Sequence, residues 1–199
     1  MSAATTVATA ALVLSAAVAA DVRGTKRDAE NLKQKIAAIN AFADRPARQP
    51  RRTILSEKEV NAYLVYEAAA DLPSGVVDPA VTILGTGRVS ARAVVDLDAV
   101  RKQKNPTSML DPMYYLTGRL PVTATGLLKT GNGMGRVLLE TAAVGGVPIP
   151  KIVLQEIVSY YSRTPENPKG IGLDDPFALP SRISEIQVQP GQAVVIQQP

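Results

Sequence analysis

Asp96 and Asp98, two residues apart at the end of an alternating segment, are the nearest this chain comes to carboxylates paired for acid–base work. Two acids converging on one cleft would serve a glycosidase-type hydrolysis. These two sit at the polar end of a strand pattern beside Arg101 and Lys102, which gives them to solvated strand-end charges. Asp174 and Asp175 precede Pro176 in a loop rich in Pro, Gly and Asn, a composition that makes turns. The alternating Asp/Asn spacing of a calcium loop is missing there. The sequence contains no His and no Cys. The commonest general base, the commonest metal ligand, the thiolate nucleophile and the disulfide are all excluded. A serine nucleophile would need a basic partner, and no Ser-x-x-Lys occurs. Gly131-Asn132-Gly133-Met134-Gly135 has the wrong spacing for a phosphate loop and is followed by a strand pattern, so it reads as a hairpin turn. No catalytic residue, metal site or cofactor is expected.

The rest of the composition narrows the partners. The formal net charge is +4 and the basic residues are scattered without interleaved aromatics, which speaks against nucleic acid. Hydrophobic residues make up 46% of the 199, enough for one substantial domain, and with two Phe and no Trp the core must be built from Val, Leu, Ile and Ala. Thr5 to Ala20 is almost wholly apolar or small and ends in Val18-Ala19-Ala20, the small-residue pattern that signal peptidase accepts. Residues 1–20 are therefore expected to be a cleaved signal peptide of an exported, periplasmic or secreted protein; the alternative is an Ala-rich helix. The run lacks a preceding Lys or Arg, and it is short for a bilayer crossing.

Several elements must position whatever this protein binds. Leu32, Ile36, Ile39 and Phe42 form one stripe of a helix over 28–42. Residues 44–52 come next as a linker broken by Pro46 and Pro50, whose Arg45, Arg48, Arg51 and Arg52 are candidates for contact with an anionic membrane surface, at roughly 1 kcal/mol each. Ser56 and Glu59 form a capping box, with Leu55 and Val60 as its staple, and begin a helix running to about Ala70, which Pro73, Gly75 and Pro79 end. Then the period changes to two. Ala80 to Leu84 and Arg88 to Leu97 form a hairpin, with Val89, Ala91, Ala93, Val95 and Leu97 on one face and Ser90, Arg92 and Asp96 on the other. Residues 105–115 read as irregular or briefly helical. Strands over 116–128 and 136–144 meet at the 130–133 turn, a second apolar helix covers 151–162, and a hairpin over 183–189 and 192–198 closes the chain around Pro190-Gly191.

Apolar surface appears in unusual places. Val137-Leu138-Leu139 and Ala142-Ala143-Val144 put aliphatic groups on both faces of one strand, whereas an antiparallel sheet ordinarily wets one face. The helix from Lys151 is apolar over a wider arc than one packed face needs. A bent sheet gripping a helix around an apolar lumen would use both features; an ordinary covered core would as well. Candidate lining residues are Tyr63, Leu84, Val95, Leu139, Ile152, Ile157 and Tyr160.

Leu55-Ser56-Glu57-Lys58-Glu59-Val60-Asn61-Ala62-Tyr63-Leu64 resembles the helix start of LmeA-like, tubular lipid-binding (TULIP-like) envelope proteins. Val147-Pro148-Ile149-Pro150 with the apolar helix after it is similar to their second turn and helix, and Phe177-Ala178-Leu179-Pro180 to their closing strands. The resemblance covers roughly residues 53–198 and implies a periplasmic protein whose long curved sheet holds acyl chains, with no catalytic residues. The expected fold is α+β: a curved antiparallel sheet of about six strands wrapped around one or two helices, in the helix-grip manner. The expected organisation is a signal peptide at 1–20, a helix and basic linker at 21–52, and a lipid-binding-like domain at 53–199. The expected function is non-catalytic binding of phospholipid or a similar apolar molecule. The alternative is a structural module docking on a partner envelope protein, which a filled core with an exposed apolar patch would favour over a long cavity.

Overall fold

The computed structural model describes residues 24–46, 48–104, 117–165 and 167–199. The signal-peptide expectation for 1–20 and the irregular segment at 105–115 lie outside the described residues.

Helix α1 (Lys26–Ala43) begins at a capping box in which Thr25 and Asp28 bond each other's backbone N–H. It buries Ala29, Leu32 and Ile39, the inner edge of the stripe read from the sequence. Strand β1 (Arg51–Ser56) comes next, so Arg51 and Arg52 lie on a strand and not on the expected linker. The boundary expected at residue 52 falls inside this strand. Helix α2 (Glu57–Tyr66) starts at the Ser56–Glu59 capping box as expected, but stops a turn early, giving way to a 3-10 turn over Ala68–Ala70.

Strands β2 (Val76–Gly85) and β3 (Arg88–Asp96) form the first hairpin. Pro79, expected to end the helix, lies instead inside β2, at a bulge where Asp78 adopts φ 49°. A proline donates nothing to a ladder, so an edge strand and a bulge are where a sheet accepts it. Helix α3 (Leu97–Lys104) leaves the sheet, which resumes with β4 (Arg119–Gly131) and β5 (Met134–Val144). The short β6 (Val147–Pro148) precedes helix α4 (Lys151–Tyr161), and the short β7 (Phe177–Ala178) precedes β8 (Ile183–Gln189) and β9 (Gln192–Gln197).

Among the described residues the fold is α+β, with two antiparallel sheets that do not close into a barrel. The larger has the order β2-β3-β4-β5-β6, with β7 also paired to β5; the smaller has the order β1-β9-β8. The hairpins turn at Thr86-Gly87, Asn132-Gly133 and Gly145-Gly146, with positive φ at both residues of each pair. That is the twist-matched two-residue turn.

Three features join the sheets. The tips of the large-sheet hairpins meet the free edge of β8: Gly133 N–H donates to Ser184 O at 3.1 Å, and Thr130 Oγ1 accepts from Ile186 N–H at 2.8 Å while donating to Ile186 O at 2.9 Å. The free edge of β2 is closed by α2. Asn61 donates to Val81 O at 2.8 Å and accepts from Val81 N–H at 2.7 Å, and Glu57 accepts from Ile83 N–H at 2.7 Å. Gly191 N–H completes Ile83 by donating to its carbonyl at 2.8 Å. An edge strand is thereby satisfied by side chains where a further strand would otherwise add. The core forms where Ile39 of α1 meets Ile183 and Val195 of the small sheet, with Leu55, Leu179 and Ile186 around them.

Candidate functional site

The ladder register decides which side chains share a face of the large sheet. Across β3, β4 and β5, Val89, Gly126 and Leu139 form one row; Ala91, Ala124 and Ala142 the next; Ala93, Val122 and Val144 a third. Val95 pairs with Leu120 beyond them, and Val81 and Ile83 of β2 extend the first two rows outward. Every side chain of these rows is aliphatic. The opposite face is mixed: Thr82, Ser90, Thr125 and Thr141 line up across four strands, next to the row of Ala80, Arg92, Thr123 and Ala143, with Leu127 and Leu138 beyond on one side and Val94 and Pro121 on the other. There Arg88 clasps Glu140 with Nε–Oε2 at 2.8 Å and Nη2–Oε1 at 3.0 Å, across the intervening strand β4.

One irregularity makes the apolar face continuous. Thr125 pairs with Thr141 but Gly126 pairs with Leu139, so Glu140 is an extra residue in β5. A single extra residue inverts the alternation beyond it. The bulge therefore brings Val137 and Leu139 into phase with Ala142 and Val144, and leaves Leu138 and Ala143 with the polar face. The close packing of Val137 Cγ1 over Gly126, 3.1 Å from where a Cβ would stand, places both on the same side.

This aliphatic face is only half covered. Val89, Ala93, Val95, Leu120, Val122, Ala124, Leu139, Ala142 and Val144 are half-buried, and Ala91 is exposed. Burial on this face is reached only near the hairpin tips, by Ile83 and the two glycines Gly126 and Gly135. Phe177 lies over Gly135, whose absent Cβ would stand 2.7 Å from the ring, and forms the rim at the tip end. An antiparallel sheet ordinarily turns its aliphatic face to a core and its polar face to water. Here the aliphatic face is partly shielded, without the burial of a core among the described residues.

The expected lining residues divide accordingly. Val95 and Leu139 are brought to this face. Leu84 sits at the second bulge of β2, 48% exposed, and Tyr63 lies half-buried on α2. Ile152 and Tyr160 stand out from α4 at 70% and 62% exposure, with the Arg163 guanidinium 5.6 Å from the Tyr160 ring centroid. Ile157 is on α4, and its side chain lies outside the described residues. Sequence reasoning found the phase of Val89–Val95 and Leu120–Ala124 but did not enrol Ala91, Ala93, Val122, Ala124, Ala142 and Val144 as site residues. Their alternation was the available signal.

The basic segment is dispersed. Arg51 donates to Ala38 O at 3.1 Å and Arg52 to Gln187 Oε1 at 3.2 Å, whereas Arg45 and Arg48 are exposed. Several charged groups elsewhere are engaged in structure. Asp96 accepts from Ala99 N–H at the start of α3 and pairs with Arg119 at 3.0 Å; both hold its carboxyl below the usual range, the Ala99 bond foremost. Arg88 does the same for Glu140, and Lys151 for Asp174. A general acid at neutral pH needs the reverse displacement. Asp175 accepts from Gly172 N–H at 2.7 Å, a turn contact. Among the described residues no three acidic side chains gather as a metal site would require, and no helix is long and apolar enough to cross a membrane.

No protein-family model matches the chain, and no curated protein matches it.

Proposed function

We propose that this protein binds phospholipid, or a similar apolar molecule of a cell envelope, without catalysis, by laying acyl chains against the aliphatic face of the large sheet. The observation that carries this reading is the sorting of the sheet: rows of Val, Leu and Ala alone on one face, and on the other a mixture in which hydroxyls, Arg92 and the Arg88–Glu140 pair interrupt Leu127, Leu138, Val94 and Ala143, with the aliphatic face half-exposed. Each methylene taken from water there contributes about 0.8 kcal/mol. Ala91, Ala124 and Ala142 leave room in the middle row, and Val89 and Leu139 on one side and Val122 and Val144 on the other form its walls. The resemblance of residues 55–64 and 147–150 to tubular lipid-binding envelope proteins supports the same ligand class and a periplasmic setting, as does the apolar run at 5–20. Arg45 and Arg48, exposed beside the small sheet, would contact anionic head groups during loading.

A specific observation also favours the second reading, docking on a partner envelope protein. Eight of the twelve large hydrophobic residues exposed among the described ones fall within 134–178, on β5, β6, α4, β7 and the loop before β7. Exposed apolar side chains mark protein contacts as well as ligand grooves where they gather into a patch.

The natural chain has no Trp, so an introduced one reports alone. Leu139→Trp places the indole on the aliphatic face and Thr141→Trp on the polar face. Vesicles of brominated phosphatidylcholine are expected to quench the first and spare the second. Equal quenching of both, or quenching of neither, would contradict the proposed site.

A further inference from the structure

A second feature lies beyond the β4–β5 hairpin tip, where that tip meets the turn before β8, and uses none of the side chains of the aliphatic rows. Pro180-Ser181-Arg182-Ile183 is a tight turn closed by Ile183 N–H donating to Pro180 O at 3.0 Å, and both central residues have positive φ, 55° at Ser181 and 56° at Arg182. Such turns take Asn-Gly or Gly-Gly, because a side chain in the left-handed region is strained by roughly 1–2 kcal/mol per residue. The other tight turns of this protein obey that preference at their second position, with Gly87, Gly133 and Gly146. At 181–182 it is broken twice.

The surroundings enforce the conformation. The Gln197 amide, fully buried, donates to Ser181 O at 2.6 Å and to Ile39 O at 2.8 Å. Ser181 Oγ donates to Asn40 Oδ1 at 2.7 Å, and Gln198 N–H donates to Arg182 O at 3.1 Å. Strained backbone that neighbours over-determine is characteristic of sites where a side chain must be presented in one place.

The side chain presented is a guanidinium. Arg182 stands on the wall of an open cleft of about 890 Å³, lined also by Pro46, Asn132, Gly133, Ser184 and Gln198. Leu179, Ile183 and Pro199 complete the lining, and Arg182 is its one charged side chain. The backbone approaching from α1 carries Arg45, whose carbonyl accepts from Arg182 Nη1 at a long 3.4 Å, and then Arg48. Among the described residues that single long bond leaves most of the five guanidinium donors of this exposed side chain available to a ligand, and their planar fork fits two oxygens of a phosphate.

We propose that this cleft is an anion site, which takes a phosphate group on Arg182 with Asn132, Ser184 and Gln198 as neutral hydrogen-bonding neighbours. The phosphate is that of a phospholipid head group or a free phosphate ion, and the test separates the two. The full chain is titrated with inorganic phosphate while the backbone amide signals of Gly133, Ser184 and Gln198 are followed by NMR. Native protein is expected to shift at these amides. Arg182→Gly is expected to weaken the response by roughly tenfold or more, since the charge-assisted fork is gone. The same variant should melt no lower than the native chain, because glycine accepts the φ of 56°. Arg182→Gln, which keeps a side chain in the turn, should lose the response to a similar extent. Vesicles of phosphatidylglycerol, against phosphatidylcholine as control, form the second arm: retention that depends on Arg182 assigns the head group, and a response to phosphate alone assigns the free ion. No shift in native protein with either probe, or variants that respond like native, would overturn the site.

Discussion

At the residue scale, the polar groups that matter most close edges. Asn61 is 1% exposed and both ends of its amide are spent on Val81 of the β2 edge. Asn61→Ala strands a buried N–H and C=O together. The expected loss is about 1–3 kcal/mol for each group left unpaired, read as a lower urea midpoint with unchanged slope. Glu59 is the second case. Burial works to raise its pKa, but the Lys35 ammonium at 2.6 Å and the Ser56 backbone and hydroxyl outweigh this and hold it low. A depressed carboxylate stabilises the fold above its unfolded value, near pH 4.3, and that contribution fades as pH falls through the folded value. Glu59→Gln is therefore expected to be less stable than native at pH 7, with the difference shrinking in the acid range. A constant difference from pH 7 to pH 3 would remove the ion pair from the account. The capping role of Glu59 was legible in Ser-x-x-Glu; its bond to Lys35, 24 residues earlier in the chain, was not, because no local pattern encodes which helix faces α2.

At the element scale, the faces of β3 and β4 were legible because their alternation is unbroken; β5 was legible as a strand but its faces were not, because Glu140 interrupts the alternation. Read with a strict period of two, β5 offers aliphatic groups to both faces. One bulge reassigns Val137 and Leu139 and resolves the contradiction. Deleting Glu140 alone would keep every other pairing, whereas deleting Glu140 and Thr141 together should leave a regular ladder while sending Ala142 and Val144 to the polar side and Ala143 to the aliphatic one, since the Asn132-Gly133 turn fixes the other end. The expected result is a chain that keeps its strand content by circular dichroism but loses lipid uptake. Uptake equal to native would show that the phase of β5 is irrelevant. The strand β1 was hidden for a different reason. Arg51-Arg52 looks like linker, and only its pairing with β9, across nearly the whole chain, makes it a strand. Pro79 misled in the same way, since its place in β2 depends on an edge and a bulge that sequence alone does not announce.

At the scale of the whole molecule, the packed core and the aliphatic face are separate. The core lies between α1 and the small sheet, where Ile39, Ile183 and Val195 meet, and Ile39→Ala is expected to cost about 2–5 kcal/mol in chemical denaturation. The large sheet reaches away from it, joined through its hairpin tips and the α2 edge. That division lets charge be placed on the open face without unfolding the protein, which makes the central claim testable. The most direct measurement is native mass spectrometry of the full chain after incubation with phospholipid vesicles, for native protein, Ala91→Asp on the aliphatic face and Thr123→Asp on the polar face. Both positions are exposed. The account predicts bound phospholipid on native protein and Thr123→Asp, and a bare mass for Ala91→Asp with its melting temperature preserved. A bare mass for all three, or lipid retained equally by both variants, would contradict it and give the aliphatic surface to a protein partner.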